Sequence, residues 1–364
     1  GYKGAMYPWQ SGSNGREESQ ILHLNPESGR WIPDNTYKQR HINAAIVYNV
    51  WMYYQVTRDI DFMAFIGGEM IFEIARFWAS IASYNPDRDR YEIHNVVGPD
   101  EFHTSYPDAD KLGLNNNAYT NVMAAWTLQT ALKIMNVLAE DKKNELLNWL
   151  KISDKEISEW ENISRKMFVP FHEDCIISQF EGYEKLREFD WDGFSKKYGD
   201  IQRLDRILES ESDSVNRYKA SKQADVLMLF YLFSSEQIVD LFDMMGYDFK
   251  PEHIPANIEY YSKRTSHGST LSRVVHSWVL ARSNREKAWD LFKNALYSDV
   301  SDIQGGTTSE GIHLGAMAGS VDLVQRCFTG LEMREDVLWL NPCLPEELKQ
   351  IEMRIYYRGH RLRV

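Results

Sequence analysis

Cysteine is scarce. Cys175, Cys327 and Cys343 are the only three in 364 residues, odd in number and without metal-type spacing, which suits a reducing compartment better than a disulfide framework. Positive charge is also short: 41 Lys and Arg stand against 53 Asp and Glu, a formal charge of −12, and no basic run appears. A nucleic acid or an anionic membrane needs a cationic surface to neutralise its phosphates, so this balance argues against both partners. No apolar run in the sequence is long enough to span a bilayer, and none reads as a signal peptide. The expected location is cytoplasmic. The nucleotide-binding glycine patterns are missing as well. Gln304-Gly305-Gly306-Thr307-Thr308-Ser309-Glu310 lacks the Gly-Lys-Ser/Thr ending of a phosphate-cradling loop, and no Rossmann-like glycines follow a strand. Strand-like alternation is confined to Ile351–Tyr357.

Aromatic residues are abundant, with 11 Trp, 20 Tyr and 16 Phe, a load that fills cores and lines carbohydrate and other ligand pockets. Apolar residues recur at helical spacing over His41–Arg58, Ile60–Ser83, Asn117–Ala139, Lys142–Leu150, Asp154–Met167, Lys222–Phe233, Ser235–Met245, Pro255–Tyr261, Ser269–Arg282, Glu286–Tyr297 and Glu310–Thr329. Residues 4–40 and Phe168–Ala220 read as long irregular passages, and passages of that length in a compact domain are usually functional. The body is therefore predicted to be all-α: a ring of helix hairpins whose long loops gather at one end and bring together Trp9, the Glu101 loop, the 168–220 passage and the loops near Lys222, His267 and Gly305.

Four stretches carry the chemistry, each with a plain alternative. In Gly98-Pro99-Asp100-Glu101-Phe102-His103 a carboxylate pair sits in a loop stiffened by Pro99 and bent at Gly98, and an acid beside Phe102 is a candidate general acid. The alternative is a solvated turn ahead of a helix. Asn115-Asn116-Asn117 reads mainly as helix capping. Lys222 and Gln223 could donate to a sugar hydroxyl or an anion, or cap and solvate a first turn. In Thr265-Ser266-His267-Gly268-Ser269-Thr270-Leu271-Ser272 hydroxyls, an imidazole and a glycine crowd a helix N-terminus, where backbone N–H groups and the helix dipole favour an anion such as phosphate. Ordinary Ser/Thr capping competes there.

Together with Gly4-Ala5-Met6-Tyr7-Pro8-Trp9, Asn116–Asn121 and Gly305–Gly315, these stretches closely resemble glycoside hydrolase family 65, in order, over nearly the whole chain. The resemblance implies an (α/α)6 barrel and inverting phosphorolysis of an α-glucosidic disaccharide to β-glucose 1-phosphate, with inorganic phosphate as co-substrate, no cofactor and no metal. It makes Glu101 the general acid, places Trp9, Asp100, Lys222 and Gln223 around the glucose, and makes His267, Gly268, Ser269 and Thr270 the phosphate-binding turn. Family members carry an N-terminal β-sandwich and first barrel helices that have no counterpart before Gly1, so the sequence reads as an excerpt: a partial barrel over 1–338 and the beginning of a C-terminal β-sheet over 339–364. Expected alone, it has weak or no activity, and the full-length protein is expected to be a homodimer. The rival readings are an inverting hydrolase with Glu310 or Asp225 as base, and a silent sugar-binding domain.

Overall fold

The computed structural model of the chain describes residues 2–173, 175–302, 307–334 and 337–364. Its helices are α1 (Ile42–Thr57), α2 (Ile60–Phe62), α3 (Gly68–Ile81), α4 (Ala118–Val137), α5 (Glu140–Leu150), α6 (Asp154–Arg165), α7 (Trp191–Tyr198), α8 (Leu204–Ser210), α9 (Asp225–Leu232), α10 (Ser235–Met244), α11 (His253–Ser262), α12 (Thr270–Leu280), α13 (Arg285–Leu296) and α14 (Leu314–Asp322). Neighbours alternate between two layers. In the inner layer α1 packs on α4, α4 on α9, α9 on α12 and α12 on α14, while α3 and α6 back α4, α11 backs α9 and α13 backs α12. This is the helical-barrel arrangement that the periodicity predicts.

The layers follow from the side chains. α9 reads Asp-Val-Leu-Met-Leu-Phe-Tyr-Leu and is apolar nearly all round, so it is stable only where other helices enclose it; Val226, Leu227 and Leu229 are fully buried. α13 carries a single apolar stripe, burying Ala288, Leu291, Phe292 and Ala295 against α12 and turning its charged residues outward. Trp78, Trp160, Phe72 and Phe77 anchor the core between α3, α4 and α6, and truncating any one of them to Ala costs about 3–5 kcal/mol.

Strands are more frequent than the sequence suggests. Five antiparallel hairpins are present among the described residues: β1 (Leu22–Asn25) with β2 (Arg30–Pro33), β3 (Ala82–Asn85) with β4 (Arg90–Ile93), β5 (Phe171–His172) with β6 (Ile176–Ile177), β7 (Glu332–Arg334) with β8 (Val337–Trp339), and β9 (Arg354–Tyr357) with β10 (His360–Arg363). Only the last falls where alternation is visible. β3 begins at Ala82, which ends the helix expected through Ser83 at Ile81. The loops of the first two hairpins open Asn25-Pro26 and Asn85-Pro86 and close on Gly29 and Asp89 at positive φ, so turn chemistry rather than strand propensity fixes them. The 168–220 passage is likewise less irregular than expected: it contains the β5–β6 hairpin and the short helices α7 and α8. Phe189, Leu204, Leu208, Val215 and Ala220 form a small core of their own there around Phe102, next to the candidate acid.

Candidate active site

The inner helices present their N-termini to one end of the barrel. Gln39, just before α1, donates to Gly98 O at 3.2 Å; Asn117, the cap of α4, donates to Asp225 at the start of α9; the turn before α12 lies against Lys222; and Gly315 on α14 sits beside Leu271 on α12. Several helix dipoles thus converge with their positive ends on one region, a setting suited to anions.

The Gly98–His103 loop is fastened throughout. Asp100 is 1% exposed, and four donors satisfy its carboxylate: Lys222 N at 2.6 Å and Gln223 N at 3.3 Å on Oδ1, His103 Nδ1 at 3.0 Å and Gln179 Nε2 at 2.9 Å on Oδ2. The Asp100 N–H donates to Asp225 Oδ1 at 2.6 Å, and Asn117 Nδ2 donates to Asp225 Oδ2 at 2.7 Å. Pro99 O accepts from Gln223 Nε2 at 2.8 Å, and the second ring nitrogen of His103 lies 2.9 Å from Tyr218 O. Burial, and then the charge of Asp100, push the Asp225 carboxyl well above the usual carboxylate range. Glycine at 98 is required by close approach, since a Cβ there would stand 2.0 Å from Asp225 Oδ2 and 2.4 Å from Asn117 Nδ2. The left-handed residue of the loop is Glu101 itself, at φ +63°. A non-glycine residue held there costs on the order of 1–2 kcal/mol, which the surrounding bonds offset.

Phe102, the aromatic neighbour expected for the Glu101 side chain, packs elsewhere. Phe102 turns into the small core, and the Glu101 carboxylate faces the other way, its Oε2 2.6 Å from Lys222 Nζ and its Oε1 3.3 Å from Gln39 Nε2. Adjacent residues of an extended or turning backbone point apart, so the expected Phe102 contact gives way to a cation.

Lys222 joins this loop to the polar turn. A Cβ on Gly268 would meet Lys222 Cγ at 3.2 Å and Gln202 O at 2.3 Å, so the lysine stem runs along the glycine and ends on Glu101. His267 is at φ +56°, and its Nδ1 lies 2.9 Å from Ser272 Oγ while its ring packs edge-on against His276 at 4.6 Å. Burial, with the positive charges of Arg273 and Lys287 adding to it, holds the His267 imidazole down at about 4. Ser269 caps α12, its Oγ accepting from Leu271 N at 3.3 Å. Thr270 Oγ1 is buried without a hydrogen-bond partner among the described residues.

Of the residues singled out from sequence, Asp100, Glu101, Lys222, Gln223 and the Gly268 backbone meet in one place. The hydrogen bond and ring contact of Trp9 lie outside this group: its backbone N–H donates to Glu17 Oε2 at 2.9 Å and its ring lies 5.1 Å from His41, two residues past Gln39. His267 points its imidazole into the protein, towards Ser272 and His276, so only its backbone follows the turn. Asn117 caps α4 as expected, accepting from Thr120 N at 2.9 Å, but Asn116 instead accepts from Ile93 N and donates to Glu181. Asp225, one of the two candidate bases, is fully buried with both oxygens already accepting hydrogen bonds, so it is not poised to take a proton from water. The other, Glu310, and the Gln304–Gly306 turn lie where side chains are outside the described residues. Gln39, Gln179, Gln202 and Arg273 also join the site, and no local sequence pattern marks any of them. No group of three or more His, Cys, Asp or Glu side chains that could hold a metal ion occurs among the described residues, and no described helix is long and apolar enough to cross a membrane.

Comparison with known proteins matches residues 1–322 to the glycosyl hydrolase family 65 central catalytic domain and residues 331–364 to the C-terminal domain of that family. The chain is 54% identical over 362 residues to an uncharacterized glycosyl hydrolase of Mycobacterium tuberculosis, covering all of this chain and 27% of that protein. It is 37% identical over 365 residues to a trehalose 6-phosphate phosphorylase of Lactococcus lactis, covering all of this chain and 46% of the relative. A solved human-microbiome structure described as a kojibiose phosphorylase superposes with a TM-score of 0.79 at 26% identity, over 99% of this chain and 48% of that one. The chain therefore spans less than half the length of these relatives. With the family's catalytic-domain model matched over most of its residues, the chain belongs to glycosyl hydrolase family 65.

Proposed function

We propose that this chain supplies the catalytic site of an inverting phosphorylase that cleaves an α-glucoside with inorganic phosphate. The observation that carries this is the bridge formed by Lys222, which places one carboxylate, Glu101, opposite a polar turn at a helix N-terminus. Inverting hydrolysis requires a second carboxylate to activate water across the ring. Phosphate is already an anionic nucleophile and requires only a cradle of donors. Among the described residues, the other carboxyl pair tied to this loop, Asp100 and Asp225, is spent on holding it.

The roles follow from that division. A phosphate oxygen attacks the anomeric carbon from the face opposite the leaving group, the C1–O bond breaks, and Glu101 delivers its proton to the departing oxygen, giving β-glucose 1-phosphate and a free acceptor sugar. Glu101 that carries this proton no longer balances the Lys222 charge, and the ammonium is left to meet the anion arriving at Gly268. Asp100 orients the loop and the Lys222 and Gln223 backbone, while the Gln223 side chain and Trp9 border the sugar. The backbone of His267 and Gly268 with the hydroxyls of Ser269 and Thr270 forms the phosphate turn. The similar proteins carry names with different acceptors, so the acceptor is tested by a panel. Full-length protein is incubated with α-linked glucose disaccharides, one of them phosphorylated on the acceptor, with and without inorganic phosphate. Phosphate-dependent release of glucose 1-phosphate from one of them supports the assignment. Glucose release that ignores phosphate overturns it in favour of a hydrolase.

A further inference from the structure

Thr270, Arg273 and His276 follow one another at intervals of three on α12 and so share a face of that helix. They are 3%, 7% and 1% exposed, and Thr270 Oγ1, Arg273 Nη1 and His276 Nε2 all lack a hydrogen-bond partner among the described residues. Arg273 is the exceptional member. A guanidinium taken out of water ordinarily pairs with a carboxylate, because its charge is otherwise left uncompensated. Here its hydrogen bond, from Nη2 at 2.8 Å, goes to the neutral Gln202 Oε1. Gln202 is also what covers the turn: its carbonyl accepts from Ser266 Oγ at 3.0 Å and stands where a Cβ on Gly268 would fall. Arg273 therefore meets the turn through Gln202, with no carboxylate in direct contact among the described residues; the negative charge acting on it is that of Asp200, reached through the Gln202 amide, whose Nε2 donates to Asp200 Oδ2 at 3.4 Å.

We propose that Arg273 is an anion-binding residue of the His267–Thr270 turn, capped by Gln202 while the site is empty and released to inorganic phosphate when the nucleophile arrives. Phosphate then meets two cations at this turn, Lys222 and Arg273, and the fork of the guanidinium fixes its orientation as a single ammonium cannot. This rests on the phosphorylase assignment above.

The test is calorimetric titration of inorganic phosphate into full-length wild-type protein and into Arg273→Met, Arg273→Lys and Gln202→Ala, with thermal melts to confirm folding and phosphate and sugar KM values measured alongside. Arg273→Met is expected to weaken phosphate binding by about 10- to 100-fold and to leave the sugar KM unchanged. Arg273→Lys should recover part of the loss. Gln202→Ala removes the competing amide but keeps the backbone carbonyl, and should bind phosphate about 2- to 10-fold more tightly. A folded Arg273→Met that binds phosphate as the wild type does, or one whose only change is the KM of a phosphorylated acceptor sugar, overturns the inference while leaving the assignment standing. Wild-type protein that neither binds nor uses phosphate overturns the assignment itself.

Discussion

The two halves of the site are built on opposite rules. In the Gly98–His103 loop nearly every polar group is used: Asp100 has four donors, Asp225 has two, and Glu101 is held at a left-handed φ between Lys222 and Gln39. Along the first two turns of α12 polar atoms are left over, with Thr270 Oγ1, Arg273 Nη1 and His276 Nε2 buried and without a partner among the described residues. An acid must be aimed, and saturation with hydrogen bonds aims it. A site for an incoming anion must keep donors unspent until the ligand supplies the acceptor, and the cost of their burial is recovered on binding.

The contrast can be broken at either half. Glu101→Gln keeps the shape of the aimed group and removes its proton, so turnover of a disaccharide should fall by about 10²–10⁴-fold. The same variant should retain much more of its rate on α-glucosyl fluoride, whose leaving group needs no protonation; an equal loss on both substrates would show that Gln disturbs binding instead. On the open half, Gly268→Ala forces its Cβ into Gln202 O and the Lys222 stem. A displacement of the turn by about 1 Å lowers kcat/KM for phosphate by on the order of 10², whereas unchanged phosphate kinetics would place the nucleophile elsewhere.

Asn117→Ala attacks the fastening of the acid loop from below. It removes the cap of α4, worth about 1 kcal/mol, and leaves Asp225 Oδ2 buried without its donor, worth about 1–3 kcal/mol more, so the variant should melt at a clearly lower temperature. A melt within a degree of wild type would mean the loop is held without that bond.

The smallest effect concerns pH. Burial lowers the His41 imidazole to about 3 and that of His267 to about 4, below the ~6.5 of an unfolded histidine. A depressed histidine is neutral when folded, so its contribution is complete above pH ~6.5 and declines as the unfolded chain takes up protons below that, by about 1.4 kcal/mol per group per pH unit until the folded value is reached. Asp225, raised by burial, acts with the opposite sign and offsets part of this. Thermal melts at pH 7 and pH 5 should show the lower value at pH 5, and His267→Gln should reduce the difference, leaving the part owed to His41 and to the buried His276.

The helical ring is legible in the sequence because inner helices such as α4 and α9 must be apolar almost all round, which leaves long apolar runs, while outer helices such as α13 carry one apolar stripe at helical spacing. The hairpins are not, because two short strands are specified by a turn and not by alternation; Asn25-Pro26 and Asn85-Pro86 are the marks they leave. At the site, the Asp100-Glu101 loop and Lys222-Gln223 are visible as dense clusters of unlike functional groups. Gln39, Gln179, Gln202 and Arg273 are not, since each acquires its meaning only through residues far along the chain: Arg273 is 71 positions from Gln202 and Gln179 is 79 from Asp100. The Phe102 contact expected of Glu101 is the instructive miss. Adjacency in sequence suggested an apolar neighbour, and the fold supplied a cation 121 positions away.

The claim that one acid faces an anionic nucleophile is tested most directly by proton NMR of the first product formed by the full-length protein from its α-glucoside in phosphate buffer, before anomers equilibrate. The account predicts β-glucose 1-phosphate, formed only when phosphate is present. Free glucose formed without phosphate, or the α-anomer of the phosphate ester, would contradict it.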